Sequence, residues 1–205
     1  MDLSSYRPPT EHALINQFAM RCFRETGDGD YIAARMAMRA RLATQFLWSA
    51  EQAVEKYLKC ILMLNRVDTR DLSHDIQAAF DRINEKLPFA IELRKPEQDV
   101  FDHLVGWSAD RYLINSLHLF DKEVIKLHLL VWHLRQYCVP LDVTHYADEP
   151  SRDVLLANVA RIKAGLNGPA RTGHVDGFLE KVARERKHPA HDALVWRNLR
   201  YSARP

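Results

Sequence analysis

Apolar residues recur at intervals of three and four along most of this 205-residue chain, and that spacing predicts helix almost throughout. Thr10 can cap a first helix, in which Leu14, Phe18 and Cys22 recur every fourth residue until the Gly27-Asp28-Gly29-Asp30 break. Asp30 can cap the next, which runs without Gly or Pro to about Asn65 and would span about 50 Å at 1.5 Å per residue. Its seam is Phe46, Ala50, Ala53, Tyr57, Ile61 and Leu64, widened by Leu47, Val54 and Leu58, which marks a central helix packed on two sides. Ser73 can cap a third helix through Ile76, Phe80, Ile83 and Leu87, ending at Pro88. A fourth starts near Pro96 with Val100, Phe101, Leu104 and Trp107 on its apolar side. The fifth carries Phe120, Val124, Leu127, Val131, Leu134 and Cys138 before Pro140 stops it.

Beyond Pro140 the pattern weakens. Leu155, Val159, Ile162 and Leu166 predict one more helix, then comes a Gly-containing loop over 165–177, then a weaker helical tail. These observations give an all-α fold: an up-and-down bundle of about five helices over 1–140 with a helical extension over 141–205. Only seven glycines in 205 residues leave little room for a turn-rich β architecture.

The net charge of +2 is too small to announce a nucleic-acid partner, so its distribution matters more. From Lys181 to Pro205 there are seven Lys or Arg against two carboxylates, a local net charge of +5. Trp196 and Tyr201 sit among them, the composition of a stacking and phosphate-contacting strip; a solvated helix face is the plainer reading.

Cys22, Cys60 and Cys138 are far apart within apolar helical patterns, which fits neither a disulfide framework nor a metal knuckle, and a reduced cytoplasm is the expected location. The first residues lack the basic-then-apolar order of a signal peptide, and no apolar run approaches the roughly 20 residues that span a bilayer, so no membrane association is expected. His128 and His133 point about 140° apart on a helix, and His188 and His191 enclose Pro189. No metal and no cofactor are expected, and the Gly-rich phosphate loop, the GxSxG elbow and the His-Glu-x-x-His motif are all missing from the sequence.

The stretch Phe46-Leu-Trp-Ser-Ala-Glu-Gln-Ala-Val-Glu-Lys-Tyr-Leu-Lys-Cys-Ile-Leu62, followed by Leu72-Ser-His-Asp-Ile76, resembles the Gln-Ala-x-Glu-Lys-x-Leu-Lys helix and downstream His-Asp-Leu of HEPN domains. Asp110-Arg-Tyr112, ahead of another long helix, is similar to that family's Ala-Arg-Tyr element. The resemblance covers about residues 11–139. It implies a helical bundle, a homodimer, and nucleotide or RNA binding of a prokaryotic stress, defence or toxin–antitoxin type.

The resemblance further implies three readings of the chemistry. Glu51, Lys56 and His74, with Arg111, Tyr112 and Lys122, would contact a nucleotide or RNA. Alternatively Arg111 and His118, at a spacing similar to that of metal-independent endoribonucleases in the family, would cleave RNA with Asn115 orienting either one. His can take and return a proton near neutral pH, and Arg can stabilise a phosphorane-like charge. If the stretch is helical, Arg111, Asn115, His118 and Lys122 fall within about 60° on one face. That row continues through Ile125, Leu129 and Trp132, so the competing reading is that His118 ends a core stripe. Moreover, Tyr112 stands where catalytic relatives carry a polar residue. In the third reading the chain is a scaffold or antitoxin-like partner of a minimal nucleotidyltransferase. Whether the protein is an enzyme stays open at this point.

Overall fold

The computed structural model describes residues 8–109, 121–143, 149–166 and 175–201. Helix α1 (Glu11–Ala19) is capped by Thr10, whose Oγ1 accepts from the Ala13 amide at 3.2 Å. A π-helical turn over Met20–Arg24 joins α1 without interruption to α2 (Glu25–Arg39). Four more helices, α3 (Ala43–Leu64), α4 (Ile76–Lys86), α5 (Lys95–Ala109) and α6 (Asp121–Arg135), complete the bundle. The extension holds α7 (Arg152–Leu166), α8 (Phe178–Arg184) and α9 (His191–Val195). The protein is thus an all-α bundle with a helical C-terminal extension, as its hydrophobic pattern predicts. Among the described residues no helix is long and apolar enough to cross a membrane.

Helix α3 is the centre, packed against α1, α2, α4, α5 and α6. All nine residues of its predicted seam are buried, as are Val100, Phe101, Leu104 and Trp107 of α5 and Val124, Leu127, Val131 and Leu134 of α6. An apolar band this wide cannot be covered by one neighbour, which is why α3 sits between helices rather than on their outside.

The predicted break at Gly27 to Asp30 does not occur, because α2 runs straight through it. Gly27 is there for close approach. A Cβ at that position would lie 3.2 Å from Cε1 of Tyr57 and 3.3 Å from Cβ of Lys56, so the missing side chain lets α2 nest against α3. Asp28 is fully buried against Arg135, and Asp30, expected as a cap, pairs with Lys56 of α3 at 2.5 Å. The true break lies at 40–42, where Arg41 takes a left-handed φ of 58°, so the predicted 50 Å helix is two. Ser73 also has a left-handed φ, of 45°, and Asp75 caps α4 instead, its Oδ1 accepting from the Ala78 amide at 2.9 Å. His74 therefore precedes α4 and does not lie in its first turn.

The stripe Leu14, Phe18, Cys22 faces outward, with Leu14 50% and Phe18 52% exposed, while α1 buries Asn16 and Ala19. A π turn then keeps this buried face in phase with that of α2. At 100° per residue the buried faces of α1 and α2 would differ by about a quarter turn in one unbroken α-helix, and a π turn, which takes in one extra residue, brings them back into line.

The extension is fastened by buried charge. Arg135, with no exposed surface, donates Nε and Nη2 to Asp28 of α2 at 2.7 and 2.9 Å and Nη1 and Nη2 to Glu180 of α8 at 2.9 and 3.1 Å. Tyr201 Oη accepts from Arg135 at 2.8 Å and donates to Glu180 at 2.5 Å. Burial works to lower the Arg135 guanidinium, but Asp28, Tyr201 and Glu180 outweigh it and hold it well above its ordinary value. Arg35, equally buried, donates to the carbonyls of Ala193, at 2.8 Å, and Trp196. Tyr201 is therefore part of the interior, and the stacking strip expected of Trp196 and Tyr201 together does not form. Replacing Arg135 by Met leaves two buried carboxylates without their cation, and the expected loss is about 3–5 kcal/mol in urea unfolding, with faster proteolysis beyond residue 175. A loss under about 1 kcal/mol, the scale of a surface pair, would contradict this account.

Candidate functional site

Arg111, Tyr112, Asn115 and His118 lie within 110–120, outside the described residues, so their shared face is not described. Lys122 is exposed near the start of α6. The remaining site candidates converge on α3 and the turn before α4.

Glu55 is the hub. It projects from α3 with 5% of its surface exposed, Oε1 accepting from Lys59 Nζ at 2.7 Å and Oε2 lying 2.9 Å from Nδ1 of His74. Lys59 also donates to the Ser73 carbonyl, which ties the left-handed turn to the helix. The Glu55 and Lys59 pair is therefore more than the surface i,i+4 contact its spacing suggests. Burial works to raise the Glu55 carboxyl, but hydrogen bonds from Lys59 and His74 outweigh it and hold it below the ordinary 4.5. A carboxylate can only accept, so Nδ1 of His74 carries the hydrogen and Nε2 is left for other partners. The imidazole side chain is 61% exposed.

Lys56, one turn before Lys59, holds Asp30 at 2.5 Å and Gln52 Oε1 at 3.4 Å. Gln52 Nε2 in turn reaches Glu55 Oε2 at 3.3 Å. Glu51 is not on this open face, since none of its surface is exposed and Ala50, Ala53 and Val54 around it are buried too. The open part thus consists of His74, Lys56, Lys59 and Gln52 over a buried Glu55.

A second carboxylate–imidazole pair, not apparent from spacing, joins α5 to α6. Glu97 is fully buried, with Oε2 at 3.0 Å from Nδ1 of His133 and at 2.8 Å from the Arg94 amide, while Oε1 accepts from Arg94 Nε at 2.9 Å. Burial works to raise Glu97, and the hydrogen bonds from His133 and Arg94 overcome it, so this carboxyl too is held below 4.5. His128 has a separate role: its Nδ1 meets the Tyr31 hydroxyl at 3.2 Å, and burial pushes it well below its ordinary value, which keeps it neutral. Among the described residues no group of three or more His, Cys, Asp or Glu is placed to hold a metal ion.

No family model, curated protein or solved structure matches the chain.

The sign of the pH dependence follows from the two lowered carboxyls. Their stabilisation is fully present above about 4.5 and is lost as pH falls through their folded values. Urea midpoints should hold steady from pH 7 towards the ordinary carboxylate range and fall below it, and Glu55→Gln should make that fall shallower. A fall below 4.5 as steep in Glu55→Gln as in wild type would refute the assignment.

Proposed function

We propose that this protein is a HEPN-like nucleotide- or RNA-binding module whose ligand meets the open face of α3 beside the turn before α4. One observation carries the reading: the two separate stretches that resemble the family, 46–62 and 72–76, meet at Glu55, which holds His74 from one and Lys59 from the other. The stretch 46–62 lies in α3 and 72–76 is the turn into α4, and their junction through a buried carboxylate and a left-handed Ser73 supports a site rather than a packing accident. In this reading His74 Nε2 accepts a hydrogen bond from an N–H of a base edge, and Lys56 and Lys59 supply nearby positive charge for a phosphate. Glu55 acts beneath them as a positioning residue. The protein would act as a homodimer, the commonest symmetric assembly.

Fluorescence anisotropy with a labelled single-stranded RNA, and ATP titration, both in chelator, test this. RNA affinity should fall steeply with added salt, as counterion release requires. His74→Ala should weaken binding by up to about tenfold, the loss of one hydrogen bond. Absence of binding by both RNA and ATP at low salt, or identical affinity in the variant, would overturn the proposal. RNA cut by wild type but not by His118→Ala would instead support the metal-independent endoribonuclease, and a copurifying nucleotidyltransferase the scaffold.

A further inference from the structure

Helix α1 buries an amide and leaves its larger apolar side chains in water. Asn16 is turned inward, its Oδ1 accepting from Arg66 Nη2 at 2.9 Å, while Leu14 and Phe18, one turn apart, are each about half exposed. Phe18 touches Phe23 edge-on, with centroids 6.1 Å apart. Beside this stripe runs an open apolar groove of about 650 Å³, walled by Leu14, Ile15 and Phe18 on one side and by Met63 of α3 and Val67 just beyond it on the other. Arg66 holds both walls in place, Nη1 donating to the Leu64 carbonyl at 2.8 Å and Nη2 to the His12 carbonyl at 3.1 Å. The groove is therefore preformed, and a face of this kind, apolar at its centre with charge at its rim, marks a surface that another one covers.

The charged residues at the two ends of the stripe say what that other surface is. Glu11, Leu14, Phe18 and Arg21 are all exposed and stand three, four and three residues apart, the spacing of a two-helix seam. Glu11 and Arg21 make no ion pair among the described residues. Let a second copy of α1 lie antiparallel on the first about a two-fold axis at position 16: Leu14 then faces Phe18 of the second copy, and Glu11 faces Arg21 of the second copy. One register thus matches both the apolar and the charged positions, and each contact occurs twice, as an isologous interface requires. Other pairings set like charges together. An axis at position 18 stacks Phe18 on itself but brings Glu11 against Glu25 of the second copy, and a parallel pairing sets Glu11 on Glu11 and Arg21 on Arg21. Exposed ion pairs add little affinity, so Leu14 and Phe18 supply the attraction while the charges choose the register.

We infer that α1 is a self-association surface: two copies of this chain pair their first helices antiparallel about a two-fold axis at position 16, with Leu14 and Phe18 packed against their counterparts and the second copy closing the groove beside Met63 and Val67. This gives the homodimer of the proposed function an interface, and it stands on α1 whether or not a nucleotide or RNA binds beside His74. One helix per subunit falls at the small end of specific interfaces, below about 1,200 Å² in total, so the dimer should dissociate on dilution.

Sedimentation velocity of the full chain over a dilution series tests this. The wild type should dimerise with a Kd of about 100 µM or tighter. Glu11→Arg and Arg21→Glu should each weaken dimerisation about tenfold or more, since each sets like charges opposite one another twice. An equimolar mixture of those two variants should recover wild-type association, because every facing pair is again opposite in charge. Phe18→Ser, at a half-exposed position, should be monomeric with an unchanged circular dichroism spectrum. Weaker association of the wild type, dimerisation unaltered in any of the three variants, or a mixture that fails to recover overturns the inference. A monomer that still binds RNA would remove this interface and leave the α3 reading intact, and a dimer of the expected behaviour that binds neither RNA nor ATP would do the reverse.

Discussion

A guanidinium with no contact to water can exist only if anionic and hydrogen-bonding groups surround it, and Arg135 is such a group. It stands at the end of α6 and takes one partner from near the start of the chain, Asp28, and two from near its end, Glu180 and Tyr201. The extension is thereby made part of the interior. Arg35 repeats the arrangement by binding carbonyls of Ala193 and Trp196. Residues that look like a loose basic tail in the sequence are therefore arranged around fixed buried anchors, and their cations, Arg184 among them, project from a surface of defined shape.

Both polar clusters use the same device. A glutamate sunk in a helix interface is kept ionised by hydrogen bonds, and it grips an imidazole by Nδ1. The difference lies in what the ring then faces. The His74 side chain is 61% exposed, whereas that of His133 is buried and borders a cavity lined by Tyr137 and Leu166. Orientation of the ring is fixed in each case by a residue that no ligand need touch.

Much of this was legible from residue order, for identifiable reasons. The seam of α3 and the apolar sides of α5 and α6 could be read because a 3.6-residue period survives whatever packs against it. The helix boundary at 27–30 was misplaced because glycine and aspartate signal a turn by local propensity, whereas here Gly27 serves contact with Tyr57 and Asp28 serves Arg135. Leu14, Phe18 and Cys22 keep a helical period yet face outward, because period alone does not say which side of a helix is packed. At the candidate site, the α3 residues and His74 were visible as motifs, but Glu55 as their junction was not, since 19 residues separate it from His74. Glu97 and His133, 36 residues apart, left no trace beyond an acidic residue in a first helical turn, which reads as an ordinary dipole partner.

The wide turn at Met20–Arg24 also bears on how this chain could vary. Insertions and deletions within a helix ordinarily rotate everything on one side of them out of contact. Here the rod already carries one surplus residue, and a shorter sequence winding through the same place with regular α geometry would present Asn16 and Ala19 to the same neighbours. Chain length can change at that point while the phase of the packed surface is kept.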